Sequence, residues 1–285
     1  MNGQYLLEVN HLKKTVNEFT IRNMNFNVEP GYIVGVIGRN GAGKTTLLNT
    51  ILGIYQPEEG EIFVCGMDRV HNALEAKKRM AFVTDECLFP LDLSPKNIGI
   101  MYGVCYDDFN REKYQKLCKR FEVPYKKTLR KMSKGTVAKA QLAFAMSRDA
   151  ALYILDEPTA GLDPVFRKEL LEYFFEVVAD GTKSIILSTN LTDELDRIAD
   201  YILYIDKGSQ RLYMEKEELL NQYRMIRGTA AQVDYYRDRV VGMKKSMTVT
   251  EALIRNTGDD YPVAVTVEIP SMEEIMMYCM NGGNI

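Results

Sequence analysis

The sequence predicts an α/β fold in which a mostly parallel sheet, flanked by helices, is built around a phosphate-binding loop. Three observations carry that expectation. Gly38, Arg39, Asn40, Gly41, Ala42, Gly43, Lys44 and Thr45 follow one another in the order of a complete phosphate loop, and Thr46 continues it. Tyr32–Ile37 before the loop is an almost unbroken apolar run, as a parallel strand buried on both faces requires, and Thr46–Leu52 behind it reads as a helix stopped by Gly53. Much further along, a second apolar strand, Ala151–Leu155, ends in the two carboxylates Asp156 and Glu157.

The residue types explain the chemistry. Glycine reaches backbone angles closed to other residues, so successive N–H groups of the loop converge on an anion while Lys44 adds a fixed positive charge. Thr45 offers a hydroxyl to magnesium. Asp156 is placed to hold the same ion, directly or through water, and Glu157 to polarise a water beside a terminal phosphate. Loop and carboxylates together point to binding and hydrolysis of a nucleoside triphosphate. Blandly read, Glu157 is only a solvated charge closing a strand.

The remaining elements follow in order. Met80–Thr84 leads into Asp85 and Glu86, and residues from about 86 to 150 read as a helical insert that includes Tyr114–Phe121. Near its start, Leu88, Phe89, Leu91 and Leu93 suit a partner-facing surface and an internal core equally. Ser133 precedes the helix-forming run Lys134–Met146, so it suits an N-cap, either as a plain cap or with helix amides facing a phosphate. Lys183–Thr189 is a further apolar strand, and Asn190 follows it.

In this order and spacing the motifs resemble the ATP-binding-cassette (ABC) ATPases, over most of residues 1–220. Met132–Thr136 stands at the place of the family's Leu-Ser-Gly-Gly-Gln signature, keeping Ser133 and Gly135, and Ala160–Asp163 resembles its D-loop. The resemblance implies an antiparallel portion near residues 5–28 and 61–70 beside the parallel sheet, ATP and magnesium as cofactors, and Ser133 and Gly135 facing the ATP of a second ABC ATPase subunit. One set of motifs then implies a dimer, homo- or heteromeric. It also implies a separate transmembrane permease, touched by residues of about 86–130, with this chain peripheral on the cytoplasmic face of the membrane.

Three positions depart from the family pattern. Asn190 stands where a switch histidine is usual; an asparagine donates a hydrogen bond to phosphate but carries no charge and passes no proton. Asp85 replaces a magnesium-touching glutamine and, as a carboxylate, remains a candidate metal ligand with Thr45 and Asp156. Val16 replaces the aromatic that stacks on adenine; Phe19 fits that contact or a core role. These changes imply a slow or conditional ATPase.

Composition narrows the alternatives. A formal charge of -3 over 285 residues gives no basic footprint for nucleic acid, and no Asn-Lys-x-Asp guanine-reading motif is present. No stretch approaches the roughly twenty apolar residues of a membrane span, and Met1–Gln4 does not open a signal peptide. Cysteines are an odd five without metal spacing, which fits reduced, buried thiols. The competing reading is a non-transport ABC switch regulating a partner, though such a switch has no need of Glu157.

Past about residue 220 the motifs end, and residues 221–285 read as a small α+β unit. Ala230–Arg239 predicts a helix; Met247–Ile254 and Tyr261–Ile269 predict strands joined through Asn256–Asp260 as a hairpin; Ser271 and Glu274 predict a capping box opening a last helix. A unit of this size needs to dock on the main domain or on a second subunit.

Overall fold

The computed structural model describes residues 5–246, 248–258 and 261–282. The chain opens with β1 (Leu7–Val16) and β2 (Phe19–Val28), an antiparallel pair closed by a two-residue turn in which Asn17 takes φ +54°. The buried strand β3 (Ile33–Ile37) delivers the phosphate loop to α1 (Lys44–Leu52), and β4 (Glu59–Val64) and β5 (Met67–Asp68) return to β1, completing the antiparallel portion. The short helix α2 (Ala73–Lys78) precedes β6 (Met80–Val83).

The region expected to be helical holds α3 (Pro95–Met101), α4 (Arg111–Arg120) and α5 (Lys134–Met146), joined by 3-10 turns. Ser94, Asn110 and Ser133 cap these helices by accepting from the backbone three residues on, which relieves one unpaired N–H at each N-terminus. Then come β7 (Leu152–Asp156), α6 (Pro164–Val178), β8 (Ser184–Ser188), α7 (Thr192–Ile198), β9 (Tyr201–Asp206), β10 (Ser209–Glu215) and α8 (Lys216–Asn221).

One ten-stranded sheet results, in the order β5-β4-β1-β2-β10-β9-β3-β8-β7-β6. Strands β9, β3, β8, β7 and β6 are parallel. Every residue of β3, β7 and β8 is buried, which explains their unbroken apolar runs. Alternation still decides which face each side chain meets: Val34, Val36, Ile154 and Ile186 pack with Leu47, Leu48 and Ile51 of α1, whereas Ile33, Leu155, Ile185 and Leu187 pack against α5 and α6.

The chain ends with β11 (Tyr223–Gly228), α9 (Ala230–Asp234), β12 (Val240–Lys245), β13 (Thr250–Arg255), β14 (Thr266–Glu268) and α10 (Met272–Gly282). These strands form a second sheet, β12-β13-β11-β14, so β13 and β14 each pair with β11 and not with one another. The expected hairpin is therefore wrong. Pro262 cannot donate to a ladder, and Val263 and Ala264 are bonded by the Tyr236 hydroxyl and Gln232 amide instead, leaving only Thr266–Glu268 as strand. Helix α9 is also shorter than expected: at Tyr236 and Arg239 the bonds tighten to i→i+3. Met1–Gln4, Met247 and residues 259–260 of the proposed linker lie outside the described residues.

Helix α10 opens on the expected capping box between Ser271 and Glu274. Its Met272, Ile275 and Met276 share one core with α6 and α7, and the Met272 N–H donates to Asp196 Oδ1 at 3.2 Å, so the terminal segment docks on the main body. Only Cys118 and Cys279 are buried; Cys105 is exposed and Cys65 and Cys87 are intermediate, against the expectation of five buried thiols.

Candidate functional site

The phosphate loop is held at both ends. Gly38 sits so near the Ile205 carbonyl that a Cβ there would come within 2.3 Å of it, and Gly43, at φ +112°, is pressed against Ile21 and Phe19. Arg39 accepts the Ala42 N–H through its carbonyl and closes the intervening turn, while its own side chain is exposed. Lys44, 6% exposed, donates to the Gly38 carbonyl at 2.8 Å and to Asn190 Oδ1 at 2.9 Å. Burial pushes its ammonium below the usual lysine range, against the opposing pull of Glu157 and Asp156.

Across the sheet, register brings the carboxylates to the loop. Asp156 pairs with Ser188 across β7 and β8, and the Ser188 hydroxyl donates to Asp156 Oδ1 at 2.5 Å. Glu157 leaves the strand at φ +48°, an angle uncommon for a residue with a side chain, and its N–H is anchored on Ser188 Oγ at 3.0 Å. Its Oε1 accepts from Asn190 Nδ2 at 2.5 Å. Asn190 thus bridges Lys44 and Glu157: its carbonyl oxygen accepts from the Lys44 ammonium and one of its two N–H groups is used on Glu157.

All of this surrounds one cleft of ≈ 620 Å³, lined by residues 40–46, Asp85, Asp156, Glu157, Asn190, Val16 and Phe19. Phe19 packs on the buried core, which bears out its core role, and it also borders the cleft. Gly38 contributes through its carbonyl and does not line the cleft, and neither do Ser133 and Gly135. Ser133 caps α5, and Gly135 lies 3.1 Å, measured from an added Cβ, from the Gly161 carbonyl, leaving the signature segment directly against the Ala160–Asp163 loop. Between them, exposed Lys134 reaches Asp85 at 3.6 Å.

The donor set suits a hard cation: the Thr45 hydroxyl and the Asp156 and Asp85 carboxylates share the cleft with the loop amides. Among the described residues no group of three His, Cys, Asp or Glu forms a cage, so a metal held here would need further oxygens from water or phosphate.

Of the four apolar residues left open by the sequence, Leu88 and Leu91 are exposed, whereas Phe89 and Leu93 pack on the core. Leu88 and Phe89 border a second, apolar recess of ≈ 210 Å³ with Phe82, Tyr102, Tyr106 and Phe144. Sequence reasoning missed this recess and also missed Ser188, Thr159, Thr189 and Glu194, the polar residues buried behind the cleft. A serine at the end of an apolar strand was the one local signal.

Residues 21–160 match the family model for ABC transporters. The SkfA peptide export ATP-binding protein SkfE of Bacillus subtilis (strain 168) is 30% identical over 227 residues, which cover 77% of this chain and 94% of that protein. A solved ATP-binding subunit of an ABC transporter superposes with a TM-score of 0.70 at 26% identity, covering 76% of this chain and 92% of the other. A dimeric ATP-binding cassette in a post-hydrolysis state, bound to ADP and phosphate, superposes at 0.65 with 18% identity over 73% of this chain and 98% of its own.

Proposed function

The chain belongs to the family of ABC transporter ATP-binding proteins, and on that premise we propose that it powers export through a separate permease by closing with a second such subunit around ATP. It is an ATP-binding and ATP-hydrolysing subunit. SkfE, a relative named for peptide export, supports the direction of transport. Among the described residues no helix is long and apolar enough to cross a membrane. The recess around Leu88, Phe89 and Tyr102 is the contact we assign to it. The change of sheet between α8 and β11 supports reading residues 1–220 as the nucleotide-binding domain and 221–285 as an appended unit.

Within the cleft, Lys44 and the amides of residues 40–46 hold the phosphates. Thr45, Asp156 and Asp85 would hold magnesium, which supplies charge neutralisation on the phosphate oxygens when bound. Glu157 accepts a proton from the attacking water. Asn190 orients Glu157 through its 2.5 Å contact and keeps a second N–H for a phosphate oxygen. Ser133 and Gly135 lie outside their own chain's cleft, which supports a role toward the ATP of the second subunit.

One observation carries this reading: Lys44, the adjacent pair Asp156 and Glu157, and Asn190, from three places far apart in sequence, line a single cleft with the loop. Steady-state hydrolysis and equilibrium ATP binding of Glu157→Gln test it. Turnover is expected to fall by roughly a hundredfold or more while binding is kept, in line with removal of a general base. An unchanged rate would take Glu157 out of the reaction.

A further inference from the structure

Behind the cleft lies a buried carboxylate that none of these roles uses. Glu194 of α7 is 1% exposed, and its Oε2 accepts from the Thr159 and Thr189 hydroxyls, each at 2.9 Å. Both threonines are buried. Thr159 lies two residues after Glu157, and Thr189 immediately precedes Asn190. The Thr189 hydroxyl oxygen also accepts the Leu191 N–H at 3.0 Å, so it grips the backbone on the far side of Asn190 as well.

The other oxygen is poorly served. Oε1 lies 3.5 Å from Arg167 Nε, and both atoms are buried without a hydrogen-bond partner. Burial pushes the Glu194 carboxyl above the usual glutamate range. A half-satisfied buried charge is a poor choice for stability alone, since apolar residues of similar volume commonly fill such space at no loss. The feature that does need a polar side chain of this length is the shared acceptor oxygen: two hydroxyls donate to it from two different loops.

We propose that Glu194 is a positioning residue for hydrolysis, one oxygen of which ties the loop carrying Glu157 to the loop carrying Asn190. Each loop is gripped within two residues of its functional side chain, so the Asn190–Glu157 contact is set from behind. Arg167 supports the same loop from the other side, with its NH2 group donating to the Leu162 carbonyl at 3.4 Å. Loss of the tie lets the two loops drift independently, and displacement of a base by about 1 Å costs roughly a hundredfold in rate. The Glu194 side chain bonds to Thr159 and Thr189 and pairs with Arg167, none of them in the loop of residues 40–46, so affinity for ATP is expected to change little.

This proposal rests on Glu157 acting as the base, and the experiment separates the two. For the full chain, kcat and KM for ATP are measured with Glu194→Ala, Glu194→Gln and the pair Thr159→Val/Thr189→Val, with ATP binding measured for each in the Glu157→Gln background. Glu194→Ala is expected to lower kcat by roughly 10- to 100-fold with binding changed less than about threefold, an effect confined to the reacting geometry. Glu194→Gln, whose amide oxygen still accepts from both hydroxyls, recovers most of the rate. The double valine variant falls to the level of Glu194→Ala, and adding Glu194→Ala to it costs little more, as for residues acting as one unit.

Parental kcat in Glu194→Ala, or kcat and ATP binding falling together, overturns the proposal. If Glu194→Ala does not fold, the double valine variant decides: parental kcat there overturns it equally. Glu157→Gln hydrolysing at the parental rate would sink the base assignment itself, whereas an inactive Glu157→Gln beside a fully active Glu194→Ala sinks only the tie.

Discussion

The nucleotide cleft and the aromatic recess are neighbours built on opposite principles. The cleft is polar, with a buried lysine, three carboxylates and the Asn190 amide, and its hydrogen bonds run in one chain from Gly38 through Lys44 and Asn190 to Glu157. The recess is apolar, with Phe89 and Phe144 in edge-to-face contact at 5.0 Å and Tyr102 packed on Phe89 at 5.3 Å. Yet one short segment serves both: Phe82, Val83 and Thr84 border the recess and Asp85 borders the cleft. A change at a phosphate or metal would thus lie one residue from the recess we assign to the partner.

That comparison can be broken from the recess side. Leu88→Asp places a charge on an exposed leucine at the recess rim. A leucine buried on association contributes about 1.5–3 kcal/mol, so binding to the permease is expected to weaken by roughly 10- to 100-fold while ATP binding is unaltered. Co-purification and titration with the permease check it. Parental association would remove the recess from the interface.

From the cleft side, Asn190→His sharpens it by a smaller step. An imidazole restores a group able to carry charge and to donate to a terminal phosphate, and one such donor is worth about two to four kcal/mol elsewhere. The existing bridge from Lys44 to Glu157 offsets part of that gain, so an increase of about tenfold in turnover is expected, with no change in permease association. A rate that stays flat in a folded variant would show that Asn190 is not what limits hydrolysis.

The two regions also differ in how far the sequence foretold them. The phosphate loop, the Ser133 cap and the Asp156–Glu157 pair are contiguous, and each depends on a local backbone form: positive-φ glycines, a helix N-terminus, a strand end. Ser188 became part of the site only through its register with Asp156, and Glu194 only because α7 folds under two loops far apart in sequence; neither has a local signature. The recess needed β6 to meet α5, with Leu88 exposed and the half-buried Phe89 packed on the core side by side. In the terminal unit, Val263, Val265 and Val267 alternate as a strand would and do pack on one small core, yet Pro262 and the Tyr236 hydroxyl keep most of that segment off the ladder.

On this account Lys44 and the loop amides capture the phosphates of ATP in this cleft, with Thr45, Asp156 and Asp85 holding the magnesium that accompanies them. Titration of ATP into the parent and into Lys44→Ala, each with magnesium and with chelator, tests it most directly. The parent is expected to bind ATP with an affinity that depends on magnesium, and Lys44→Ala, still folded, to lose that binding. Equal affinity in both proteins, or none in the folded parent, would contradict the account.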